Sequence, residues 1–258
     1  MKNKQRYISV IIIIIIISIV FLLTIGLKLI NNEKVSDLIA LDNNVVFKNT
    51  KGKWKVITED TELKEYNWNS LYTFVDNVYL GKYNIYYNEE LYLFDNNRNP
   101  INYNGSLIAF SNKEYKLIDF KTNSITNDKY INEVLNKNDL TNKKLTSSYY
   151  INIDIDNDDE KEQLYVVSNK FPIDIVNDNK YFSFVFLVDN EKIKMIYKKI
   201  EKTEDSYSGC KPYIKSILDV NNDNKYEVII NCAEYSTNKI HSTIYKYKNN
   251  QFENVVSS

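Results

Sequence analysis

Two stretches concentrate oxygen-bearing side chains at alternate positions. They are "IDIDNDDEKEQLYVV" (153–167) and "LDVNNDNKYEVII" (218–230). The first holds Asp154, Asp156, Asp158 and Glu162; the second holds Asp219, Asn221, Asp223 and Glu227. In each, these residues stand at relative positions 1, 3, 5 and 9, and position 7 (Glu160 or Lys225) can add its backbone carbonyl. Calcium takes about six to eight hard oxygens at roughly 2.3–2.6 Å in flexible geometry, and a tight loop can turn alternate side chains onto one such point. Magnesium fits less well, because it needs strict octahedral geometry and keeps its waters. Carboxylates crowded without a cation repel one another. Asn-rich turns alone do not make the pattern: "DNNRNPINY" from Asp95 ends on Tyr103, and "DIVNDNKYF" from Asp174 has Val176 and Phe182 at two of the ligand positions. The helical calcium loop fits poorly, because its bidentate Glu at position 12 is replaced by Tyr165 and Ile230.

The elements around these loops read as strands. Residues 151–167 align without a gap on 216–232, and each copy is followed by a hairpin-like pair, turning at Asp189-Asn190 and at Asn249-Asn250. Each unit is thus expected to hold four strands. Residues 45–125 contain further short runs rich in Tyr, Phe, Ile, Leu and Val, such as "LYTFV", "VYLGKYNIYY" and "LYLFD", separated by Asn, Asp and Gly. Such spacing predicts antiparallel β-meanders, not βαβ units. "DKYINEVLNK" (128–137) has apolar residues at helical spacing and predicts one short helix.

The pattern D-x-[DN]-x-D-x-x-x-[DE] between two strands resembles the calcium hairpins of the FG-GAP and VCBS repeat families, over residues 148–258. The resemblance implies four-stranded β-propeller-like blades that bind Ca2+, as in integrin α chains and many bacterial surface proteins. The families usually place Gly at position 6, where the backbone is left-handed; here stand Asp159 and Asn224, which tolerate that conformation better than most residues. The Phe-Gly and Gly-Ala-Pro signatures do not occur.

"YISVIIIIIIISIVFLLTIGLKLI", Tyr7 to Ile30, carries no charge from Ile8 to Leu27. As a helix that run rises about 30 Å, the thickness of a bilayer's hydrocarbon core. Lys2, Lys4 and Arg6 precede it, so the amino terminus is expected inside and the remainder outside. A cleaved signal peptide is the competing reading, although "KLINNEKVSD" shows no small-x-small cleavage site. The expected organisation is a cytoplasmic tail (1–6), a transmembrane helix (7–30), a polar stalk (31–44), an N-terminal β region (45–125), a short helix and linker (126–147), and two calcium-hairpin repeats (148–258). The only basic residues of 1–30 are Lys2, Lys4, Arg6 and Lys28, of 33 in the chain, against 34 acidic residues that all lie further on. That mildly acidic outer part offers no grip on nucleic acid.

Cys210 and Cys232 are the only cysteines, and an even count outside the cytoplasm suggests a disulfide. His241 is the sole histidine, and no nucleophile elbow lies near it, so no catalytic residue is assigned. Packing explains Trp54, Trp68 and the 22 tyrosines more cheaply than a sugar-binding platform does. Together these features predict a single-pass, extracytoplasmic, mainly β, calcium-binding protein of a Gram-positive-like bacterial surface. It would serve as a binding or adhesion module for a protein or carbohydrate ligand. Two alternatives stand: a hydrolase of surface glycans, which would need a paired-carboxylate pocket away from the loops, and an accessory subunit of a membrane complex.

Overall fold

Short apolar runs punctuated by Asn, Asp and Gly fold here as antiparallel strands. A computed structural model describes residues 37–112, 115–126, 128–140, 145–169, 180–202, 210–234, 237 and 239–258. The run Tyr7–Ile30 lies outside the described residues. Among those described, no helix is long and apolar enough to cross a membrane. The described residues fall into two units, Asp37 with 49–53, and 38–48 with 54–258. In the small unit, the turn is closed by the Gly52 amide, which donates to Asn49 Oδ1 at 2.9 Å.

The described strands form three open sheets, none closed into a ring. The first is built from β1 (Asp37–Leu41), β2 (Val45–Thr50), β3 (Lys53–Ile57), β4 (Ser70–Val75), β5 (Val78–Asn88), β6 (Glu90–Phe94), β7 (Pro100–Ile101) and β8 (Leu107–Phe110). Their order is β3-β2-β1-β8-β4-β5-β6-β7. Strand β8 is the pivot, with Ala109 opposite Ala40 on one side and Thr73 on the other. Leu38, Ala40 and Val46 from one half share a buried cluster with Leu71, Ile85 and Leu93 from the other, so the sheet curls over its own core. A four-residue helix α1 (Asp60–Leu63) supplies Leu63 to that core.

The second sheet is a meander of β11 (Leu145–Ile153), β12 (Glu162–Asn169), β13 (Lys180–Asp189) and β14 (Lys192–Lys202), with β10 (Asn123–Ser124) along its β11 edge. The third repeats that plan: β15 (Cys210–Asp219), β16 (Glu227–Glu234), β17 (Ile240–Lys248) and β18 (Gln251–Ser257), edged by β9 (Lys116–Leu117). The turns Asn190-Glu191 and Asn249-Asn250 have positive φ at both residues, the tight hairpin geometry that matches strand twist.

Period-two alternation decides how the layers stack. In β12, Leu164 and Val166 meet Ile217, Val228 and Ile230 of the third sheet, while Tyr165 and Val167 face the other way. That second face is covered by α2 (Lys129–Asn136), through Ile131, Val134 and Leu135. On β16, Ile229 turns from its neighbours toward Leu41, Phe47 and Phe110 of the first sheet. The order is therefore α2, second sheet, third sheet, first sheet. Asp128 caps α2, accepting from the amides of Tyr130 (2.7 Å) and Ile131 (3.2 Å).

Two expectations about organisation are corrected. Residues 37–44 are not part of a polar stalk: Leu38–Leu41 are buried in β1 and pair with β8, because "LIAL" is an apolar run wholly enclosed between cores. Nor does the N-terminal β region stop at a clean boundary. Lys116–Leu117 and Asn123–Ser124 cross into the repeats and pair with β15 and β11.

Candidate metal centre

Both oxygen-rich loops join the first and second strands of a meander, so the strand ends fix where each begins. In the first, Asp154 follows β11 and Glu162 opens β12. Asp154 accepts from the amides of Asp158 (3.0 Å) and Asp159 (3.1 Å), which curls the chain back over it. Asn157 and Asp159 make that curl by adopting left-handed φ of 59° and 70°. Glu162 is buried, and its Oε2 accepts from Ile155 N at 2.8 Å. One oxygen each from Asp154, Asp156 and Glu162 then lies within 4.8 Å of the other two.

The electrostatics of this group are those of a cation trap. Burial, with repulsion from Asp156 and Asp158, pushes the Glu162 carboxyl up to about 7. Burial and the charges of Asp158 and Asp189 also raise Asp156. Asp156 Oδ1 is shielded from water and has no hydrogen-bond partner. No described lysine or arginine forms an ion pair with Asp154, Asp156 or Glu162. Asp158 is not in that triad, though its charge helps to raise Asp156; its Oδ1 accepts from Glu160 N at 2.9 Å. The donor set of three clustered carboxylates, one with an unmatched oxygen, suits a hard divalent cation; loop carbonyls, that of Glu160 among them, and water would complete the shell.

The second loop has the same backbone. Asp219 is fully buried and takes amide hydrogen bonds from Asn221 (3.2 Å), Asp223 (3.3 Å) and Asn224 (3.0 Å). Glu227 Oε2 accepts from Val220 N at 3.0 Å, the counterpart of the Glu162 contact. Asn222 and Asn224 take left-handed φ of 58° and 60°. The carboxylates here do not form a three-membered group. Lys246, on β17, lies among them, 3.1 Å from Asp223 Oδ2 and 3.6 Å from Glu227 Oε1. Burial lifts Asp223, but the Lys225 amide and the Lys246 ammonium outweigh it and hold the carboxyl below its usual range. The exposed Lys225, whose carbonyl was a candidate ligand, lies close enough to Asp156 to favour its ionised form. The two loops are neighbours, since Tyr226 N donates to Ile155 O at 2.9 Å.

Sequence reading did not anticipate Lys246. The β16–β17 register, a pairing across the sheet with no local sequence signal, places it directly opposite Glu227.

Cys210 and Cys232 form a disulfide across β15 and β16, with Cα atoms 5.4 Å apart. Cys210 stands opposite Glu234 and Cys232 opposite Pro212, so the bond runs diagonally. His241 has both ring nitrogens engaged, Nδ1 with Ser258 O and Nε2 with Glu234 Oε1, each at 3.0 Å. A cleft of about 720 Å³ between the first and third sheets is lined by Asp42, Glu90, Tyr103 and His241, among others. There the buried Lys215 ammonium holds both oxygens of Asp42 at 2.8 Å. Trp68 packs between Tyr86 and Phe94 with Arg98 stacked on its face, a cross-strand cluster.

Comparison of the chain with protein-family models, with curated proteins and with solved structures gave no match.

Proposed function

We propose that this is a membrane-anchored, extracytoplasmic β-repeat protein braced by calcium at the loop between β11 and β12, and that it works as a binding or adhesion module. The observation that carries the calcium reading is the convergence of Asp154, Asp156 and Glu162, with Asp156 Oδ1 buried and unmatched. Two further features support it. The paired four-stranded meanders with a loop at the same connection agree with the blade plan implied by the FG-GAP and VCBS resemblance. The left-handed φ at Asp159 and Asn224 puts these residues in the conformation those repeats give to glycine. The anchor rests on the uncharged run Ile8–Leu27 and the basic residues before it.

The role of the ion is structural. A ligand bound by the native state alone stabilises it, by about 2.7 kcal/mol when its concentration is a hundredfold above Kd. Extracellular calcium modules bind in roughly the 10⁻⁴–10⁻³ M range, which suits the outer side of a membrane. The test is thermal melting of the full chain in detergent, in chelator and then in millimolar calcium. Calcium raises the midpoint of the wild type, and Asp154→Ala removes most of the rise; a midpoint indifferent to calcium would refute the reading.

A further inference from the structure

We propose that the second loop binds no calcium, because the ammonium of Lys246 takes the cation's place there. This inference rests on the calcium reading of the first loop. The two loops share a backbone path, down to the glutamate that closes each onto a loop amide, Glu162 on Ile155 and Glu227 on Val220. What differs is the strand lying across from that glutamate. In the third sheet, Lys246 is directly opposite Glu227, and its Nζ reaches Asp223 Oδ2 at 3.1 Å and Glu227 Oε1 at 3.6 Å. In the second sheet, Gln163 is opposite Val188, so one step further along the same register brings Asp189, an acid, beside Glu162.

One repeat therefore sets a lysine across from its closing glutamate, whereas the other sets an aspartate there that is itself ion-paired with Lys194. An ammonium offers one positive charge and three donors to oxygens that would otherwise converge on a metal. Asn221 fits the same assignment: it is an amide where the first loop has Asp156, and its Nδ2 donates to Glu227 Oε1 at 3.3 Å. A donor aimed at a carboxylate oxygen competes with metal for that lone pair. The Lys246 side chain is only 29 % exposed, so its charge acts with reduced screening by water.

Calorimetric titration of calcium into the chelator-stripped full chain tests this by counting ions. Wild type takes up one ion. Lys246→Met, close in volume and without charge, takes up two, and Lys246→Arg stays at one. Asp154→Ala takes up none, and the Asp154→Ala, Lys246→Met double variant takes up one. Melting curves in chelator verify that each variant is folded, and calcium raises the Lys246→Met midpoint by more than it raises that of wild type. A wild type that binds two ions, or a folded Lys246→Met that still binds one, would overturn the lysine assignment while leaving the first loop's calcium intact. No binding by either protein would sink both readings.

Discussion

Glu162 and Glu227 are buried carboxyls raised to about 7, above the ordinary glutamate value near 4.3. Without metal, the native chain keeps protons there that the unfolded chain has lost, so their contribution to stability falls as pH rises from about 4.5 to 7. Glu162→Gln is neutral at every pH and escapes that loss. In chelator, its midpoint therefore gains on wild type as pH climbs through this window, and a constant difference between the two melting series would contradict the assignment. On the proposed calcium reading the comparison reverses, because calcium would bind the ionised carboxylate: near pH 7 in calcium, wild type is expected to be the more stable protein.

Elements carry their own predictions. Phe186 is fully buried and stacks on Tyr165 with ring centroids 4.8 Å apart and planes 4° from parallel. Phe186→Ala costs about 3–5 kcal/mol in chemical denaturation. Asp128→Ala, which removes the cap of α2, costs about 1 kcal/mol. Reduction of Cys210–Cys232 lowers stability by about 2–4 kcal/mol, measurable as a shift in the denaturation midpoint with and without reductant.

At this scale much was legible in the sequence. The turn at Asn249-Asn250, the helix after Asp128 and the gapless repeat all follow from local chemistry, whereas the other hairpin turns at Asn190-Glu191, one residue beyond the expected Asp189-Asn190. What was not legible depends on distant pairing. The strand Asp37–Leu41 reads as a short interruption in polar sequence until β8, some 70 residues on, supplies its partner. Two-residue strands such as Lys116–Leu117 carry no periodicity at all. The four acids of the first loop stand out by spacing alone, whereas the cation that separates the two loops comes from a strand across the sheet.

The stacked layers account for why one loop can brace much of the molecule. The second and third sheets share one core, and the third shares another with the first, so a pin at the β11–β12 connection resists separation of neighbouring strands. The anchor makes a prediction at the scale of the whole chain: it sediments with membranes, and its C-terminal region is cut by protease added outside intact cells. Release of the chain into the soluble fraction by salt alone would contradict the anchor. The most direct test of the central claim is a crystal grown in calcium and measured at a long wavelength. The account predicts an anomalous peak bounded by Asp154, Asp156 and Glu162, with oxygens at about 2.3–2.6 Å. Those three side chains turned out to solvent, with no peak between them, would contradict it.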